Sequence, residues 1–124
     1  NQLPLLGVVS AGMPLEMFDD IEYHEVPQSF YEKNNFILQV DGDSMVDDGI
    51  LNGDYIIAKK IAVANPGDTV VVSINGEATL KRYYIGSNGV ELHPRNNKYN
   101  IIHIGDEDEL YIQGLVVGVI RKYQ

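Results

Sequence analysis

Four turn signals, Asn52-Gly53, Asn65-Pro66-Gly67, Asn75-Gly76 and Ser87-Asn88-Gly89, cut the middle of the chain into short runs rich in Val, Ile and Tyr. Asn and Gly tolerate the positive φ that tight hairpin turns require, so this punctuation constrains the fold more than any other feature. The runs it separates are Phe36–Val40, Asp54–Lys59, Asp68–Ile74, Ala78–Ile85, Val90–His93, Asn100–Ile104 and Leu110–Arg121. Each has strand length and β-type composition. No window sustains an apolar i, i+3, i+4, i+7 pattern, and only Ser44–Leu51 has room for a turn or two of helix. The expected fold class is mainly β, with curved antiparallel β-sheets, either partly closed and barrel-like or built as two packed sheets.

With 124 residues and 44% apolar composition, the chain fits one domain that holds a core without a disulfide or metal staple. Pro4, Pro14 and Pro27 space out residues 1–33, which predicts an irregular arm laid over the sheet core of residues 34–124. The longest apolar stretches, Leu5–Val9 and Leu115–Ile120, fall far short of the ~20 residues of a membrane span. A formal charge of −9 repels phosphate, so nucleic-acid binding by these residues alone is not expected.

Several chemistries lack their motif. No phosphate-binding glycine loop and no His-Glu-x-x-His occurs. The cluster Asp41, Asp43, Asp47, Asp48 puts Met45 at a ligand position and Val46 where an EF-hand needs Gly, which argues against calcium. His24, His93 and His103 share no ligand spacing, and neither a metal nor another cofactor is expected.

Two elements remain. In Val40-Asp-Gly-Asp-Ser-Met-Val-Asp-Asp-Gly-Ile50 a serine leaves a β-run through a glycine turn, a placement that suits an exposed nucleophile beside free backbone N–H groups. A plain helix cap is the commoner use of Ser there. In Glu77-Ala-Thr-Leu-Lys-Arg-Tyr-Tyr84, alternation puts Thr79, Lys81 and Tyr83 on one face and Ala78, Leu80 and Arg82 on the other, so one cation points to the more buried side. A lysine in apolar surroundings loses solvation of its cation and becomes available as a general base. Edge-strand protection is the commoner use of Lys-Arg in a sheet.

Gly42-Asp43-Ser44-Met45, with Lys81 37 positions after the serine, resembles the catalytic domain of LexA-type repressors. Leu3–Pro14 resembles that family's self-cleavage region, and Gly49–Asp54, Val90–Asn97 and Ile112–Arg121 are similar to further family segments. The resemblance implies the LexA/signal-peptidase-like fold and a latent serine protease with a Ser/Lys dyad. Ser44 is then the nucleophile, Lys81 the general base, the backbone N–H groups of Asp43 and Ser44 the oxyanion donors, Ala11-Gly12 the scissile bond and Val9 an apolar anchor of the arm. It also implies a cytoplasmic homodimer, stimulated by RecA filaments on single-stranded DNA. Operator DNA is reached only through a helix-turn-helix domain upstream of Asn1. UmuD-like polymerase accessory proteins, which Asp43 resembles, and phage repressors are the alternatives within the family. Ala-Gly favours the repressor, since Cys-Gly is the usual bond of the UmuD-like proteins. For Leu115–Ile120, apolar on both alternating faces, the readings are a core strand or an edge strand that pairs across a two-fold axis.

Overall fold

The computed structural model describes residues 1–123, so Gln124 at the end of the expected core lies outside the described residues. Among the described residues nine strands form one mixed sheet: β1 (Gln2–Ser10), β2 (Glu16–Glu25), β3 (Phe36–Asp41), β4 (Tyr55–Lys59), β5 (Thr69–Ile74), β6 (Glu77–Gly86), β7 (Gly89–His93), β8 (Ile102–His103) and β9 (Leu110–Ile120). Their order across the sheet is β2-β1-β3-β4-β9-β5-β6-β7-β8. The mainly β expectation holds, and the arrangement is a single open sheet rather than two packed ones. All strand pairs are antiparallel except β1 with β3.

The turn residues do what their chemistry dictates. Asn75 and Gly76 both take positive φ, 52° and 87°, and join β5 to β6 through a two-residue hairpin. The expected helical segment shrinks to one 3₁₀ turn, Val46–Asp48, closed by Gly49 at φ 80°.

Residues 1–33 are not an irregular arm. Leu3, Leu5 and Val9 are buried along β1, and β2 forms the sheet's outer edge. Prolines did not prevent this because Pro4 lies where β1 pairs only with β2, before its ladder to β3 begins at Leu5.

The sheet curls until the turn after β1 meets β6, where Ala78 N–H donates to Met13 O at 2.8 Å. Inside the curl pack Val9, Leu38, Met45, Ile56, Val71 and Leu80. Ile37 and Ile57 belong to a second cluster with Leu3 and Leu5, and Val70 and Val72 to a third with Leu92. Burial on both faces explains why β3, β4 and β5 read as continuous apolar runs instead of alternating ones. A register shift between Leu5 and Gly7 inserts Leu6 as a bulge. One extra residue reverses side-chain parity, which is why Leu5 faces the second cluster while Val9 faces the first, beside the cleft described below.

Candidate active site

Past the end of β3 the chain turns at Gly42, φ 129°, whose N–H is tied to Asn52 Oδ1 at 2.8 Å. Ser44 follows, half-buried, and Met45 drops into the core as an anchor at 2% exposure. The capping use of Ser44 is not realised: Met45 occupies the cap position of the 3₁₀ turn, and no side chain caps it. Ser44 Oγ instead accepts a hydrogen bond from Lys81 Nζ at 3.2 Å.

Lys81 sits in β6, an interior strand between β5 and β7, so edge protection does not account for it. Its residue exposure is 3%, and its Nζ also donates to Thr79 Oγ1 at 2.7 Å and Leu80 O at 3.0 Å. Every one of these partners is neutral. Loss of hydration therefore pushes its pKa down to about 8. The geometry suits both protonation states. An ammonium donates to all three oxygens; a neutral amine donates to Thr79 and Leu80 and accepts the Ser44 hydroxyl proton.

Arg82, next along β6, has the opposite surroundings. Its Nε and a terminal nitrogen bind Asp48 at 2.8 and 3.1 Å, and Arg95 Nε joins them at 2.9 Å. Asp48, one of the four aspartates of the acidic cluster, thus ties the 3₁₀ turn to β6 and to the loop after β7.

The segment expected to be cut lies beside these groups. Ser10–Met13 form a turn in which Met13 N–H donates to Ser10 O at 3.2 Å, and Gly12 takes φ 77°. A side chain at that φ is strained, and a glycine is not. Ala11 lines a small cavity together with Ser44, and a neighbouring one together with Lys81; Val9 lines the first from its buried position. Ser10 Oγ donates to Asp41 Oδ2 at 3.0 Å, fixing the turn to the end of β3. The structure thus places Val9, Ala11, Asp43 and Ser44 around one part of a two-part cleft and Ala11, Gly12 and Lys81 around the other, with Ala11 common to both and the Lys81–Ser44 hydrogen bond linking them.

Sequence reasoning noted Val90–Asn97 only as similar to a family segment and gave no part to the loop from Arg95 to Tyr99, which braces this cleft. Arg95 N–H donates to Ser44 O at 2.7 Å, Asp47 N–H to Arg95 O at 2.8 Å, Asn96 Nδ2 to Asp43 O at 2.8 Å, and Tyr99 OH to the Asp43 carboxylate. The same carboxylate pushes the Tyr99 phenol above its ordinary pKa. Among the described residues, no acceptor is paired with the N–H of Asp43 or Ser44. Thr79 was placed on the Lys81 face from alternation, but not given a part.

Comparison with known proteins shows what the chain is similar to. The family model described as "Peptidase S24-like" matches residues 4–117. Among curated relatives, the LexA repressor of Syntrophotalea carbinolica is 44% identical over 99% of this chain and 61% of its own length. The LexA repressor of Carboxydothermus hydrogenoformans is 45% identical over 98% of the chain and 60% of its own, and that of Syntrophobacter fumaroxidans 43% over 98% and 59%. The chain spans about three-fifths of the length of these relatives.

Proposed function

Because the chain belongs to the peptidase S24-like family, we propose that it is the self-cleaving serine peptidase part of an SOS-response repressor of the LexA type, cutting its own Ala11-Gly12 bond. The observation that carries the reading is the buried Lys81 amine 3.2 Å from Ser44 Oγ, without a carboxylate partner among the described residues, in a cleft whose wall includes Ala11.

Neutral Lys81 takes the Ser44 hydroxyl proton as Oγ bonds to the carbonyl carbon of Ala11. The backbone N–H groups of Asp43 and Ser44 stabilise the oxyanion that forms. Lys81 then gives the proton to the Gly12 nitrogen, the C–N bond breaks, and the Ala11 acyl group stays on Ser44 until water hydrolyses it. Buried Val9 holds the arm in register, and the Gly12 turn presents the bond. A RecA filament on single-stranded DNA serves as the stimulating partner. Operator DNA is bound through another domain of the repressor, in the cytoplasm.

A homodimer through the end of β9 belongs to the same reading. β4 pairs with Leu115–Ile120, whereas the ladder to β5 stops at Leu115, so one edge of Val116–Ile120 has no strand partner among the described residues. Val117 and Val119 are 38% and 41% exposed beside that edge. The core-strand and edge-strand readings of this run each describe one of its two sides.

The test is incubation of the purified chain at alkaline pH followed by mass spectrometry. Fragments 1–11 and 12–124 are expected, and Ser44→Ala is expected to stay whole while folding normally. An uncut wild-type chain, or cleavage that survives Ser44→Ala, would remove the assignment.

A further inference from the structure

The loop after β7 reaches the cleft through a side chain that the reaction above leaves unused. Asn96 is half-buried and engaged at both ends of its amide. Its Oδ1 accepts from the Lys98 N–H at 3.0 Å, a local turn that fixes which end of the amide faces inward. Its Nδ2 then donates to Asp43 O at 2.8 Å, the shorter of the two hydrogen bonds on that oxygen, the other being a long 3.4 Å contact from the Val46 N–H within the turn itself. That carbonyl belongs to the peptide whose N–H is Ser44's. In a planar trans peptide the C=O and N–H point to opposite sides, so a carbonyl held from one side aims its N–H to the other. The far side of Ser44 is held as well, by the Arg95 N–H on Ser44 O at 2.7 Å.

We infer that Asn96 is a positioning residue for the oxyanion site: through Asp43 O it sets the plane of the Asp43–Ser44 peptide, so that the Ser44 N–H is aimed at the charge developing on Ala11 before the reaction begins. Such a donor acts only when it is oriented in advance, because a peptide free to swing must reorganise in each transition state. The inference rests on the self-cleavage reading, and it assigns Asn96 no contact with the reacting atoms.

The experiment measures cleavage rate against pH for the 124-residue chain and for Asn96→Ala, Asn96→Asp and Asn96→Gln, with Ser44→Ala as the control. Asn96→Asp keeps the oxygen that closes the local turn and loses the donor to Asp43 O. Removing an oxyanion donor outright lowers rates by about 10²–10³, so misaiming one is expected to lower the alkaline plateau by about ten- to a hundredfold in both the Ala and Asp variants. In Asn96→Ala the pH of half-maximal rate stays where it is in the wild type, since the surroundings of Lys81 are untouched. Asn96→Gln, with an amide donor on a longer stem, recovers part of the rate. Wild-type rates in Asn96→Asp would reduce Asn96 to a turn residue and overturn the inference. A displaced pH midpoint in Asn96→Ala would also overturn it, by routing the effect through Lys81. A wild-type chain that does not cut, or Ser44→Ala that does, instead defeats the self-cleavage reading, so the two failures are distinguishable.

Discussion

Among the described residues two ionisable groups are almost fully enclosed, Asp54 just before β4 at 2% exposure and Lys81 within β6 at 3%, and their surroundings are opposite. Asp54 meets Arg121 through two nitrogens at 2.7 Å each and the Leu51 N–H at 2.7 Å, while Arg121 also reaches Gly49 O at 2.8 Å. Among the described residues Lys81 meets only a hydroxyl, a second hydroxyl and a carbonyl. Both pKa values fall, for contrary reasons. The Arg121 guanidinium holds the Asp54 carboxyl below its ordinary value because the charged form is favoured. Burial pushes Lys81 down to about 8 because the charged form is disfavoured. One charge is met by an opposite charge and closes the end of β9 onto the loop before β4; the other is hydrogen-bonded to neutral oxygens without a counter-ion among the described residues, which suits a base and costs stability.

Lys81→Met breaks the comparison most severely. Loss of a general base lowers rates by about 10²–10⁴, so cleavage is expected to fall at least a hundredfold at every pH. Stability moves the other way. Between about pH 8 and the unfolded lysine value of about 10.4, the unfolded chain binds a proton that the folded chain does not, so stability rises with pH across that window. Below it the unfavourable ammonium is fully present, worth about 3 kcal/mol, and replacing it is expected to raise the unfolding temperature at pH 7 by more than at pH 10.5. Paired melts at the two pH values decide this; a Lys81→Met chain less stable at pH 7 than at pH 10.5, relative to wild type, would contradict it. Lys81→Arg is expected to be equally inactive, because guanidinium stays protonated.

Arg121→Ala attacks the other member of the pair. It leaves the Asp54 carboxylate enclosed without a counter-ion, and the unfolding temperature at pH 7 is expected to drop by several degrees. The depressed Asp54 pKa stabilises the fold above the unfolded carboxylate value of about 3.9, and that contribution disappears as pH falls through the folded value. The gap between variant and wild type should therefore narrow in acid. At a temperature where both chains are folded, the cleavage rate of Arg121→Ala should match wild type; a large loss would mean that the two charged sites are coupled.

The wild-type pH profile sharpens the contrast with a smaller effect. A lysine with pKa about 8 is neutral in about one molecule in eleven at pH 7. Unassisted cleavage is expected to rise about tenfold from pH 7 to a plateau, with half the maximum near pH 8. A flat profile would take Lys81 out of the base role.

How far such a contrast can be read from sequence depends on distance along the chain. The hairpin at Asn75-Gly76 and the strands around it were legible because each signal is local, a turn residue beside a β-branched run. Lys81 was legible because a lone cation in an apolar run is a local anomaly. The partner that gives Asp54 its character was not, and neither was the brace on the Asp43 carbonyl. Arg121 lies 67 positions from Asp54, and Asn96 lies 53 from Asp43. The parallel pairing of β1 with β3 likewise rests on contacts that no short window contains, and Pro4 pointed to loop where it lies in a strand paired on one side only, while Pro14 and Pro27 do fall outside the strands. Leu6 as a bulge, and with it the face Val9 presents, is a register property of two strands together.

The smallest expected effect tests whether the neutral partners of Lys81 tune it as well as hold it. Thr79 Oγ1, at 2.7 Å, is the nearest of the three and is itself buried at 5% exposure. A hydrogen bond from an ammonium is about twice as strong as one from a neutral amine, so this hydroxyl stabilises the cation more than the base. Thr79→Val removes it with little change of shape, and the pKa of Lys81 is expected to fall further. The pH of half-maximal cleavage then moves to lower values, by a fraction of a unit to about one unit. The plateau is expected to drop a few-fold, because the amine loses one of the contacts that aims it at Ser44. At pH 7 these changes oppose each other, since more molecules carry the neutral base while each reacts more slowly, so the rate there stays close to wild type. Only the full profile separates them. A midpoint that moves to higher pH would mean that Thr79 favours the neutral amine, and Lys81 would then owe its low pKa to that contact as well as to burial.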